Sequence, residues 1–362
     1  MRALVSRGPN MMAVEELPEP EPRAGEVKVR LVATGICHTD LSVLQGHLPS
    51  PRPIVLGHEG AGVVESVGSG VESVAPGDHV ICSIITTCGG CFQCFAGEPA
   101  LCEKAVAFGG TMLDGTTRLS SNGEDVFTLF CQGTLAEFAV VPVSAVVRVP
   151  KDAPLDVLAG LGCAFSTGLG AAMVRANVRP GSTAVVIGAG GVGLATMMGA
   201  KAMGAARVIA VDLAAHKGER AVSLDIADAT LVGTGDDVVS AVLELTEGRG
   251  ADYAFDAVGA PGTLETALRS VRPGGLAVAI GVMDATVTAT FDLFSFLMHK
   301  RLTGTYAGSI VPQRDIPMFV DLYQKGRLPL DSLVDARFSL DEAPKAFQQL
   351  ANNEITKGVV TF

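Results

Sequence analysis

The sequence predicts an α/β fold in which a doubly wound parallel sheet is joined to a second, β-rich domain. Three observations predict it. The first is a strand-like run, Ser182-Thr183-Ala184-Val185-Val186-Ile187, that leads into Gly188-Ala189-Gly190-Gly191-Val192-Gly193 and then a helical run to about Met203. The second is the alternation of strand-like and helix-like segments that follows. The third is the apolar/polar alternation of the first 35 residues, as in Glu26-Val27-Lys28-Val29-Arg30-Leu31-Val32, which suits half-buried strands.

A length of 362 residues allows about two domains, and 48% hydrophobic residues with 43 glycines suit a compact α/β core. The net charge of −11 argues against a polyanion, so no nucleic-acid partner is expected. The uncharged stretch nearest a membrane span, Pro180 to Ala200, is crowded with glycines and divides into strand, turn and helix. No membrane partner is expected. Eight cysteines in a chain this long read as metal ligands in a reducing compartment, the cytoplasm, and not as a disulfide scaffold.

Pro18, Pro20 and Pro22 mark a loop before the first long strand. Cys37-His38-Thr39-Asp40 then sets a thiol, an imidazole, a hydroxyl and a carboxylate side by side. Gly57-His58-Glu59-Gly60-Ala61-Gly62 adds a second imidazole and carboxylate in a glycine-rich segment. Cys88-Gly89-Gly90-Cys91-Phe92-Gln93-Cys94 with Cys102 places four thiols within 15 residues. That spacing can close on one tetrahedral zinc; a disulfide pair, an iron–sulfur cluster or a nucleic-acid-binding zinc ribbon are the other readings of such thiols. Cys82 and Cys131 have no partner motif and read as packed thiols. The stretch 105–132 is loop-rich, and short apolar runs from Leu135 to Pro150 read as strands. Gly162-Cys163-Ala164-Phe165-Ser166-Thr167 opens a helical stretch just ahead of the glycine motif.

That motif lies between strand and helix, as a dinucleotide fingerprint requires. Gly188 serves the tight turn, Gly190 the approach of backbone to a pyrophosphate, and Gly193 the packing of helix on strand. Gly191 and Val192 open the helix whose positive end meets the pyrophosphate. Asp212 ends the next strand, Arg207 to Asp212, 19 residues after Gly193. A carboxylate there accepts ribose hydroxyls and repels a 2′-phosphate, so NAD is expected over NADP.

Cys37-His38-Thr39-Asp40, the run Gly57 to Val71, Cys163 and the fingerprint together resemble the zinc-dependent alcohol dehydrogenases of the medium-chain dehydrogenase/reductase family, over essentially the whole chain. The resemblance implies a discontinuous GroES-like catalytic domain, 1–164 with 307–362, and a Rossmann NAD-binding domain, 165–306. It implies two zinc ions per subunit. Cys37, His58 and Cys163, with Glu59 beside them, take the catalytic zinc, and Cys88, Cys91, Cys94 and Cys102 the structural one. It gives Thr39 the proton of the alcohol and Asp40 the free N–H of the ligating imidazole. It sets His38 and Lys357 against the coenzyme pyrophosphate, Thr167 against the nicotinamide and Lys217 against the adenosine ribose. Leu48, Ile84, Val282 and Tyr306 fall at pocket-lining positions. Ser42 stands where many members have the histidine of a proton relay, which leaves water or His47 as the way out.

The implied reaction is reversible hydride transfer between a hydrophobic primary or secondary alcohol and NAD. Alternatives are a formaldehyde dehydrogenase acting on a glutathione or mycothiol adduct and, in another class, a non-catalytic zinc- and nucleotide-binding scaffold. The length between Cys102 and Cys163 resembles the dimeric members, so a homodimer is expected.

Overall fold

The computed structural model describes residues 1–105, 107–281 and 286–362; Val282, one expected pocket residue, lies outside them. The chain divides into two compact units, Met1–Ala164 with Val311–Phe362, and Phe165–Ile310. Residues 307–310, expected with the first unit, stay with the second, where Gly308 abuts the carbonyls of Ser166 and Thr167.

The first unit begins with β1 (Arg2–Gly8), β2 (Met11–Glu16), β3 (Glu26–Gly35), β4 (Ile54–Val55), β5 (Gly60–Val67), β6 (His79–Cys82), β7 (Leu119–Ser121), β8 (Glu124–Thr128), β9 (Phe138–Pro142) and β10 (Val146–Val149). The second unit adds β11 (Thr183–Ile187), β12 (Arg207–Asp212), β13 (Ala229–Val232), β14 (Ala251–Asp256), β15 (Val271–Ala279) and β16 (Arg301–Gly304). The chain then returns with β17 (Ala336–Ser339) and β18 (Gly358–Thr361).

In the first unit one sheet runs β2-β1-β4-β8-β7. The other runs β10-β6-β5-β3-β18-β17, with β9 also on β3. The alternation seen in the sequence puts Val27, Val29 and Leu31 of β3 into a core with Val64, Val80 and Val141. Burying each such side chain is worth about 1.5–3 kcal/mol. The long β3–β5 ladder pairs Thr34 with Gly60 and Ala33 with Ala61. It therefore brings the segment after β3, which starts at Ile36-Cys37, next to His58-Glu59 just before β5. Chain distance is closed here by register.

The second unit is one parallel sheet of order β13-β12-β11-β14-β15-β16. Its strands are nearly continuous apolar runs because both faces are covered. Val185, Ile209, Val211, Ala254 and Ala277 are buried beneath the helices that carry Val238, Val242 and Leu268. The order reverses at β11, and the glycine motif sits at that strand's carboxyl end, where open α/β sheets take their ligands. The uncharged stretch weighed as a membrane span is β11, a turn and the helix Gly191–Ala202. Among the described residues no single helix is long and apolar enough to cross a membrane.

Candidate metal and dinucleotide sites

Cys37 caps the helix His38–Gln45 and is half-buried. His58 and Glu59 are fully buried. Cys163 breaks the chain between a 3-10 turn, Ala159–Gly162, and the helix Ala164–Gly170. It arrives because Ile84 N–H donates to the Gly162 carbonyl at 3.0 Å. A side chain at Gly162 would press within 2.5 Å of the Cys82 carbonyl and 3.0 Å of Glu59 Cα, so glycine is what lets this turn close on the cluster. One donor atom from each of Cys37, His58, Glu59 and Cys163 lies within 4.8 Å of the others.

The electrostatics of the cluster is that of a site built for a cation. Asp40, fully buried, accepts from Gly57 N–H at 2.8 Å and lies 3.2 Å from His58 Nδ1. Burial opposes charge on His58, but Asp40 and Cys37 together outweigh it and raise the imidazole pKa well above its usual value. Cys37 is held well below the usual thiol range by a hydrogen bond from Cys163, against burial and with His58 assisting. Cys163 is pushed the other way by the same bond and by burial. Glu59 stands apart from the other three donors because its carboxylate is engaged. Oε1 accepts from Ala164 N–H at 3.1 Å, and Oε2 pairs with Lys357 Nζ.

Lys357, which the resemblance sets against the coenzyme pyrophosphate, has its ammonium buried, 2% exposed, between Glu59 and the Ile36 carbonyl at 3.2 Å. The β3–β18 pairing, Val359 on Gly35, carries it there.

Cys88, Cys91, Cys94 and Cys102 form a second cluster with donors within 4.8 Å, and none is in a disulfide. Backbone N–H groups of Cys94 and Glu103 bring the Cys91 thiol down to about 6. Cys82, by contrast, is pushed up to about 12 by burial alone, as suits a packed thiol.

In the second unit, Gly188 has φ +94 and follows β11 directly. A side chain at Gly193 would meet the Gly188 carbonyl at 1.8 Å, so the helix packs there only as glycine. At Gly190 an added Cβ meets nothing within 4 Å, which leaves open space at the N-terminal end of the helix Gly191–Ala202. Gly191 and Val192 are half-buried in its first turn. Asp212 accepts from Ala189 N–H at 2.8 Å through one oxygen and from Ala214 N–H at 2.9 Å through the other. Its carboxylate is thus fixed at the mouth of the glycine turn. Lys217 lies half-buried on the helix Ala215–Ser223, and Thr167, 9% exposed, on Ala164–Gly170.

Residues 23–151 match the family model of the alcohol dehydrogenase GroES-like domain, and 191–325 that of the zinc-binding dehydrogenases. The chain is 39% identical to the NDMA-dependent alcohol dehydrogenase of Amycolatopsis methanolica, over 96% of this chain and 94% of the relative. The chain belongs to the zinc-dependent alcohol dehydrogenases of the medium-chain family. Among solved structures it is similar to benzyl alcohol dehydrogenase from Acinetobacter calcoaceticus, with TM-score 0.94 and 34% identity over 100% of this chain and 99% of that one. It is also similar to an alcohol dehydrogenase zinc-binding domain protein from Burkholderia ambifaria, with TM-score 0.95 and 37% identity over 100% and 98%.

For a zinc alcohol dehydrogenase the donor sets fit. His58 Nε2 is buried with no hydrogen-bond partner while Nδ1 is taken by Asp40, which leaves a lone pair for a metal. Two thiols and one imidazole form a three-ligand set, and four thiols form a closed one. Thr39 is half-buried in the first turn of the helix capped by Cys37, and His38 beside it is exposed. Ile84 is buried, Leu48 half-buried, and Tyr306, in the second unit, 42% exposed.

Two aromatic residues beside the site were not among the expected ones. The Phe130 ring lies 4.9 Å from the His58 ring, and Phe108 meets Phe130 edge-on at 5.3 Å. Phe130 takes φ 54 and ψ 34, a left-handed conformation unusual for so large a residue. Nothing in the local pattern of a loop-rich stretch announces such a residue.

Proposed function

We propose that this alcohol dehydrogenase is NAD-dependent and acts on hydrophobic alcohols, aromatic ones included, and on the corresponding carbonyls. The observation that carries the reading is the buried, unpartnered Nε2 of His58 in a converging set with Cys37 and Cys163. These three residues would hold a catalytic zinc, and Cys88, Cys91, Cys94 and Cys102 a structural one. When bound, zinc supplies a Lewis acid that lowers the pKa of an alcohol hydroxyl or polarises a carbonyl, and NAD supplies the hydride acceptor.

The chain's own residues do the rest. Asp40 keeps the proton of His58 on Nδ1 and so keeps Nε2 a donor of electrons. Lys357 holds the Glu59 carboxylate, so Cys37, His58 and Cys163 would be the protein ligands. Thr39 takes the hydroxyl proton, and with Ser42 beyond it the proton leaves through water or His47. The backbone at Gly190, Gly191 and Val192 would bind the pyrophosphate. Asp212 accepts from the adenosine ribose, with Lys217 beside it, and excludes a 2′-phosphate. Thr167 faces the nicotinamide. Leu48 and Ile84 would line the substrate side of the first unit, joined by Phe130 and Phe108, whose rings suit flat hydrophobic substrates. Similarity to a benzyl alcohol dehydrogenase supports that substrate class. A homodimer completes the reading; Leu293 and Leu297, 83% and 70% exposed on one short helix, support a face covered by a second copy.

A second reading rests on the relative named NDMA-dependent: the oxidant of turnover is NDMA and not free NAD. One assay separates the two. The enzyme receives benzylic, allylic and aliphatic alcohols with NAD, with NDMA, or with both, and a further arm receives formaldehyde with glutathione or mycothiol. NADH formation from benzylic alcohols with NAD alone supports the first reading. Product only where NDMA is present supports the second, and turnover only in the thiol arm removes both.

A further inference from the structure

The parallel sheet has a second feature at the end opposite the glycine motif. There the second unit opens a cleft of about 390 Å³ lined by Arg179, Arg249, Arg272 and Arg301, with Asp252 and Asn177. Arg179 lies on the turn that leads into β11. Asp252, Arg272 and Arg301 lie at the beginnings of β14, β15 and β16. These four strands are neighbours in the sheet, so residues far apart in sequence meet at one edge.

Charge is the telling feature. The chain carries 27 basic and 38 acidic residues, yet this cleft gathers four guanidinium groups around one carboxylate. That carboxylate is already engaged. Asp252 accepts from Thr183 N–H at 2.8 Å and from Arg272 Nε at 2.7 Å, with Arg249 at 3.6 Å. Arg179 and Arg301 make no ion pair among the described residues; Arg301 reaches only the Gly274 carbonyl, at 3.4 Å. Guanidinium forks match planar and tetrahedral oxyanions, and here Arg179 and Arg301, without an ion pair among the described residues, stand beside the Arg272–Asp252–Arg249 group, where one carboxylate faces four cations. Asn177 takes φ 47 beside them, a conformation Asn tolerates, and adds an amide to the lining.

We infer that this cleft is a binding site for a compact multivalent oxyanion, a phosphate-bearing or polycarboxylate small molecule, separate from the dinucleotide and metal sites. A cleft of about 390 Å³ holds the volume of about a dozen waters, enough for a diphosphate with part of its hydration. The arginines bind charge, and the strand ends keep them in place. The site adds stability to the second unit whenever the anion is present.

The test is thermal unfolding of the zinc-loaded full-length protein at fixed ionic strength, with potassium chloride as the balancing salt. Pyrophosphate at 1 mM raises Tm by about 3 °C in the wild type, while matched chloride does not. The double variant R179Q/R301Q loses most of that shift. R301Q alone loses about half and carries the test should the double variant unfold. A larger shift with pyrophosphate than with citrate assigns the site to phosphates, and the reverse to polycarboxylates; each supports it. An equal shift in wild type and variant puts the anion elsewhere, the helix end at Gly190 included, and overturns the inference. So does an equal shift with chloride, which is screening alone.

Discussion

Lys357 and Glu59, 298 positions apart, form a fully buried ion pair beside Cys37, His58 and Cys163. The last strand of the chain thereby fastens the carboxylate nearest the candidate metal site. Burial raises the Glu59 pKa and Lys357 opposes that rise, so neither charge is tolerated there without the other.

Removing one partner is therefore costly. Lys357→Ala destabilises the protein by about 3–5 kcal/mol, the usual effect of leaving a buried charge unpaired. Urea denaturation of the zinc-loaded protein measures it. Adding Glu59→Gln to that variant recovers a large part of the loss. Equal stability of wild type and K357A would mean that the pair contributes nothing.

Gly35 guards the same pair. A Cβ there would lie 1.9 Å from Glu59 Oε2 and 3.0 Å from Lys357 Nζ. Gly35→Ala is expected to lower Tm by an amount close to that of K357A, and the two substitutions together to cost less than their sum, because they disrupt one interaction. Calorimetry of the single and double variants checks this.

Asp40 acts through His58. Asp40→Asn exchanges the carboxylate for an amide at the Nδ1 contact and weakens the hold on the imidazole's orientation. Zinc affinity at the catalytic site should fall about 10–100-fold, read by competition with a chelator. The four-cysteine site should be unaffected.

Asp252 predicts the acid limb of stability. Burial raises its pKa, but Thr183 N–H and Arg272 more than offset this, so the carboxyl sits below its ordinary value in the folded protein. The unfolded chain protonates first, near pH 4. The contribution is therefore present above that pH and is lost as pH falls toward the folded pKa. Urea midpoints of the wild type should fall more steeply below about pH 4 than those of Asp252→Asn. Parallel profiles would contradict the assignment.

The second unit was the more legible half. Strand Arg207–Asp212 and helix Gly191–Ala202 follow from continuous apolar runs and a glycine turn, all local signals. The edge strand Arg301–Gly304 escaped because it is short, with both ends exposed and no residue fully buried. In the first unit, Asn122-Gly123, with φ 52 and 82, makes the hairpin of β7 and β8 inside a stretch that reads as loop. The turn signal was there, but the polar strands around it hid its meaning. The burial of Lys357 against Glu59 has no local signal, and only the β18–β3 register reveals it. Phe130 and the arginine cleft have no local signal, since each depends on strand ends meeting in space.

The central claim is that Cys37, His58 and Cys163 hold one zinc and the four clustered cysteines another. Metal analysis of the purified protein by mass spectrometry tests it directly, on wild type, Cys163→Ala and Cys94→Ala. About two zinc ions per chain are expected in the wild type and about one in C163A, with C94A losing the other. A wild type with one zinc or none, or a C163A variant that keeps two, would contradict it.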